Sequence, residues 1–157
     1  MDIGLMPVPD IGIEVDRFLR ANRTQWGTST VEEFRPLSTF DMESMKVAAR
    51  MDWTQVDLEF PARTRRGYVY MRTYYPRWLE RIDANDLDVA GSTRCVLGQM
   101  YGHYGESLEM RIYGGAWLQA HGFVGLSGEP NDYALDTVRL TNYWRGVITR
   151  DRMGVRR

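Results

Sequence analysis

The chain has 157 residues and a mass of 18.3 kDa, the size of one compact domain. Hydrophobic residues make up 43% and charged residues 26%, a globular balance that excludes a disordered or collagen-like chain. The net charge of −1 names no partner. No stretch reaches the roughly 18 apolar residues of a membrane span. The opening Met1-Asp2-Ile3-Gly4-Leu5-Met6-Pro7 lacks the basic flank and apolar run of a secretory signal. Cys95, the only cysteine, has no partner for an internal disulfide, so a cytoplasmic, reducing setting is expected.

Cations are almost all arginine: 19 arginines stand against one lysine, Lys46. They are spread along the chain, as codon bias in a GC-rich genome would spread them. Charge falls in four blocks. Residues 1–62 sum to −5, 63–81 to +5, 82–136 to −6 and 137–157 to +5, an alternation that suits internal ion pairing.

In chain order, Pro7 and Pro9 mark an extended start, and Asp10 is placed to cap a short helix with Ile11, Val15, Phe18 and Leu19 on one side. Asn22 to Thr30 reads as a loop. After Pro36, Ser38 and Asp41 have the spacing of a capping box, and Leu37 and Met42 that of a hydrophobic staple. The helix so begun is expected to run to about Met51, burying Met42, Met45, Ala48 and Ala49. Thr54, Val56, Leu58 and Phe60 alternate with polar residues, which predicts a half-buried strand. Pro61 to Gly67 then reads as a turn. Tyr68 to Tyr75 is rich in β-formers and fits either the second arm of a hairpin or a short helix ended by Pro76; periodicity does not decide. Pro76 suits the first turn of a brief helix carrying Trp78 and Leu79.

Ser92 or Thr93 is expected to cap a helix from Arg94 to about Tyr104, with Val96, Leu97, Met100 and Tyr104 inward. Gly115 to His121 predicts two turns closed by Gly122, with His121 where the helix dipole favours a cation. Asn131 or Asp132 caps a longer helix to about Thr149, burying Tyr133, Leu140, Trp144, Val147 and Ile148. The expected fold is a single, mostly α domain (α+β) with a small antiparallel sheet or hairpin. Its parts are an N-terminal segment of helices and one strand over 1–62, a helical part over 63–150 and a basic tail over 151–157.

Few residues carry chemistry. Cys95 would need His103 or His121 as a base to act as a nucleophile, but its apolar neighbours read as core. One cysteine and two histidines at these spacings form no zinc site. Asp83, Asn85, Asp86 and Asp88 miss the calcium-loop pattern, with Asp88 at the sixth position and Arg94 at the twelfth, so they read as turn formers. Gly98, Gly102 and Gly105 match no nucleotide fingerprint and read as close packing. No catalytic residue, cofactor or metal is therefore expected.

The strongest binding candidate is the segment from Arg63 to Arg81. Arg63, Arg65, Arg66, Arg72 and Arg77 interleave with Tyr68, Tyr70, Tyr74, Tyr75 and Trp78. Arginines neutralise phosphates and aromatic rings stack on bases, which is the chemistry of a nucleic-acid surface. The same residue types are also favoured at protein-binding hot spots. Against a nucleic-acid surface, the tyrosines also fit a core, and the arginines fit pairing with the acidic blocks on either side.

The strings Pro76-Arg77-Trp78, Arg81-Ile82-Asp83, Leu87-Asp88 and Cys95-Val96-Leu97-Gly98-Gln99 carry a further signal. So do Gly102, Tyr104, Gly122-Phe123, Tyr133-Ala134-Leu135 and Trp144. Over residues 65–150 the chain resembles a family of small proteins encoded by actinobacteriophages and their actinobacterial hosts. The resemblance implies a phage gene product in a host cytoplasm, or a virion component, and brings no activity, cofactor or site residue. The function expected is that of a non-enzymatic accessory protein binding a host or phage protein. Nucleic-acid binding through 63–81 and a small cysteine-dependent enzyme are the alternatives.

Overall fold

The computed structural model describes residues 42–75, 77–126 and 128–154. The expectations for Pro7 to Asp41, and the burial of Met42 and Met45, lie outside the described residues. The described part is mostly helical and contains no strand. Its helices are α1 (Met42–Arg50), α2 (Phe60–Tyr74), α3 (Val96–Tyr101), α4 (Leu108–Ile112), α5 (Gly115–Ala120) and α6 (Pro130–Arg152), with 3₁₀ turns at Trp78–Glu80 and Tyr104–Glu106.

The expected sheet is the main correction. Thr54 to Glu59 form turns, held by Asp52 and Asp57 side chains accepting from the Thr54 and Glu59 amides at 3.0 Å. Alternation here reflects a winding surface segment. Pro61 does not break the chain. It sits in the first turn of α2, where its missing N–H is no loss. The helix then runs through the β-formers to Tyr74, ending two residues before Pro76. Arg63, Thr64, Gly67, Tyr70 and Met71 face inward at helical spacing. Gly67 has to be glycine: a Cβ there would strike the His121 carbonyl and lie 2.7 Å from the Trp144 ring.

The shorter elements have local causes. The Trp53 indole donates to the Ala48 carbonyl at 2.8 Å, closing α1. Cys95, rather than Ser92 or Thr93, caps α3, its Sγ accepting from the Gly98 amide, and Gly102 at φ +88° ends it. Gly98 packs so closely on Ser92 and Thr93 that a Cβ would lie 2.7 Å from the Thr93 carbonyl carbon. Ser107 caps α4, a helix the sequence reading lacks. Gly122, at φ +71°, turns the chain out of α5 as expected.

Helix α6 begins at Pro130, one residue before the expected caps, and extends to Arg152. Leu140, Trp144 and Ile148 are buried along it and Val147 partly so, whereas Tyr133 is exposed at its start. Helices α2 and α6 pack on each other around Trp78, Trp117, Phe123 and Trp144, all fully buried. Phe123 stacks between Trp117 and Trp144 at centroid distances of 5.8 and 5.6 Å. The Trp144 indole donates to the Gly122 carbonyl at 2.7 Å, satisfying the polar end of a ring whose burial is among the largest single contributions to a core.

From Arg77 to Cys95 the chain has one 3₁₀ turn and otherwise irregular backbone. Side chains of α6 fasten it. Arg145 donates to the carbonyls of Ala84 and Leu87 at 2.9 Å, and Arg152 to those of Leu79 and Ile82. The Thr141 hydroxyl accepts from the Val89 amide at 2.9 Å. Asp83 and Asp88 close turns on the Asn85 and Ala90 amides, as their type and spacing predict.

Candidate functional site

The arginine–tyrosine segment does not form one continuous outer surface. Helical periodicity divides it. Arg63 is fully buried (0% exposed). Its Nη1 meets the Asp136 carboxylate at 2.6 Å, its Nε the Gln119 carbonyl at 2.7 Å and its Nη2 the Val124 carbonyl at 2.9 Å. Arg66 donates to the Ala120 carbonyl at 2.7 Å and to the Asp57 carbonyl. Two guanidiniums thus sit at the C-terminal end of α5, where carbonyls lack helical donors and the dipole favours positive charge. Partial burial pulls the Arg66 guanidinium below its ordinary value, against the nearby Asp57.

The tyrosines turn inward as well. Tyr70 and Tyr75 donate to the same Glu109 oxygen at 2.5 and 2.7 Å, and Tyr75 shares a further hydrogen bond with Tyr101. All four of these side chains are buried, so two hydroxyls meet one buried carboxylate and a third joins them through Tyr75. Tyr68 is half-buried and donates to Asp151 at 2.7 Å. Tyr74 is half-buried, its ring 5.0 Å from that of Tyr70. The expected stacking platform is therefore corrected: Tyr70, Tyr75 and Trp78 offer no ring face to a base, and Arg63 no charge to a phosphate.

What remains outside is narrower. Arg65, Val69 and Arg72 are exposed on the outer line of α2, at i, i+4 and i+7. Val69 is 54% exposed between the two arginines. Neither Arg65 nor Arg72 has an ion-pair partner among the described residues. Arg77 is also exposed but pairs with Glu80 at 2.6 Å, holding that carboxyl below the usual range.

The thiol and the imidazoles are each bound locally. Cys95 is 1% exposed, its Sγ 3.3 Å from the Gly98 amide. Burial pushes the thiol up to about 11, so it carries almost no thiolate at neutral pH. His103 is exposed, its Nδ1 accepts from the Gly105 amide at 2.9 Å, and its ring stacks on Tyr104. His121 is buried against Trp117, ring centroids 3.9 Å apart, with Nδ1 2.8 Å from the Trp117 carbonyl. Burial, reinforced by Arg66, pulls it down to about 4 despite that hydrogen bond. It is neutral, contrary to the dipole argument, because desolvation outweighs the favourable helix end. Among the described residues no three His, Cys, Asp or Glu side chains are grouped to hold a metal ion, and no helix is long and apolar enough to cross a membrane. Compared with known families, curated proteins and solved structures, the chain matches none.

Proposed function

We propose that the protein acts by binding another protein through the outer face of α2, with no chemistry of its own. The observation that carries this is the exposed line Arg65–Val69–Arg72. Two cations around an apolar side chain suit an acidic protein surface with an apolar centre. Arginine is enriched among the residues that dominate binding energy, and its planar fork takes carboxylates in two-point contacts. A phosphate backbone would use the charges and gain nothing from Val69, and the rings needed for base stacking are engaged inside. With the phage resemblance of residues 65–150, the reading becomes an accessory protein directed at a host or phage protein in the host cytoplasm.

The test is a photo-crosslinker at Val69 in host and phage-infected lysates, with and without nuclease. A protein adduct that survives nuclease, and is lost on combining Arg65→Glu with Arg72→Glu, is the expected result. Both substitutions are on exposed positions, so the melting temperature should be unchanged. Adducts that vanish on nuclease treatment would move the reading to nucleic acid, where binding should fall steeply with salt. Adducts indifferent to both arginines would overturn the α2 face as the contact.

A further inference from the structure

Helix α6 has an outer line without charge. Leu135, Val138, Asn142, Gly146 and Thr149 are all exposed and fall within about 80° of one another around the helix at 3.6 residues per turn. The solvent side of a surface helix is ordinarily its most charged side. Here it carries Leu135 at 49% and Val138 at 56% exposure. Gly146 stands in the same line, and a Cβ built there would meet nothing within 4 Å. Glycine weakens a helix interior, and among the described residues no close packing calls for it. Its missing side chain leaves room for a neighbour to come close from outside.

Charge identifies that neighbour. Asp132 and Arg150 lie on one flank of the uncharged line, near opposite ends of the 23-residue helix and nine positions either side of Thr141, with Arg139 between them. Asp132 and Arg150 are exposed, and neither has an ion-pair partner among the described residues. A helix that carries opposite charges at equal distances from its centre is complementary to itself when reversed.

We infer that α6 pairs with the α6 of a second copy of this chain, antiparallel, about a twofold axis at the level of Thr141 and Asn142. Asp132 of each copy then comes alongside Arg150 of the other. Leu135 falls over Gly146, whose missing side chain leaves room for it, and Val138 joins Asn142 at the centre. The carboxamide of Asn142 both donates and accepts, so the two copies of it pair across the axis and favour this register over a slipped one. The contact is isologous, so it closes at two copies and does not propagate. A pair of helices about 34 Å long is a small interface beside the ~1,600 Å² of a standard one, so the test spans micromolar concentrations.

Sedimentation equilibrium of the full chain across micromolar concentrations tests this. A monomer–dimer equilibrium is expected. Leu135→Glu should weaken it at least about tenfold without lowering the melting temperature. Asp132→Arg and Arg150→Asp should each weaken it, and the two combined should recover much of the loss. A favourable helix dipole alone could not produce that recovery, because the double swap opposes the dipole. A monomer at all concentrations would overturn the proposal, as would a double variant no tighter than the singles. A dimer that Val69→Glu breaks and Leu135→Glu leaves intact would overturn it too.

Discussion

The α2–α6 pair and the stretch from Arg77 to Cys95 are held by different means. In the helices the backbone satisfies its own hydrogen bonds, so side chains are free to pack, and three tryptophans and Phe123 form the interior between them. In the irregular stretch many carbonyls have no ladder to join, and Arg145 and Arg152 reach across from α6 to serve them. The same division explains Arg63 and Arg66, which serve carbonyls where α5 ends. A buried backbone acceptor without a donor costs about 1–3 kcal/mol, and a long forked cation reaches several acceptors at once. The arginine content thus has a structural use at these four positions, whatever its genomic origin.

The sharpest way to break the comparison is at Arg63. Arg63→Ala removes the buried cation from the Asp136 carboxylate, which keeps the Leu126 amide, and the side-chain donor from the Gln119 and Val124 carbonyls, and should cost about 3–5 kcal/mol in chemical denaturation. Arg63→Lys should recover only part, since one ammonium cannot span three acceptors. A loss below about 1 kcal/mol would mean that burial of the aliphatic stem, not the guanidinium, matters.

The next test concerns pH in the helical half. His121 has its proton affinity lowered on folding, from an ordinary value near 6.5 to about 4. The unfolded chain therefore binds the proton first, and stability falls as pH drops through the interval from 6.5 to about 4. At neutral pH this penalty is absent. Across the whole interval it amounts to about 3 kcal/mol. His121→Phe keeps an aromatic ring on Trp117 and should flatten the acid slope by that amount. An unchanged slope would assign the acid sensitivity to other groups.

The smallest effect is expected in the irregular stretch. Arg145→Ala should cost about 1–2 kcal/mol and leave the α2–α6 core intact. Hydrogen exchange should show the Leu87 and Val89 amides losing protection while those of Leu140 and Trp144 keep theirs. Uniform loss across both regions would show that they unfold as one unit and that the distinction is only geometric.

These regions also differ in how openly the sequence announces them. Leu140, Trp144 and Ile148 recur every four residues, and Gly122 follows α5 where a helix stop is expected, so α6 and the end of α5 are legible. Helix α2 is not, because two local signals point elsewhere. Thr54 to Phe60 alternate as a strand does, and Pro61 resembles a breaker although it opens the helix. Once residues 60–74 are taken as helical, Arg63 falls on the line of Gly67, Tyr70 and Met71, and its burial follows. The candidate surface is misjudged for the same reason: composition marks which residues can bind, but only the helical phase separates Arg65, Val69 and Arg72 from Arg63, Arg66 and Tyr70. Tyr133 fails differently. It has the phase of a buried residue but lies in the first turn of α6, where little of the fold covers it.

The sealed thiol at the start of α3 has a practical consequence. The chain's one native sulfhydryl is buried and almost wholly protonated at neutral pH, so maleimides and spin labels should pass it by. A cysteine installed at Arg72 or Val138 would then be the single attachment point, with no need to remove the native residue first. Fluorescence or distance measurements could follow the α2 face and the α6 line separately in the same folded protein.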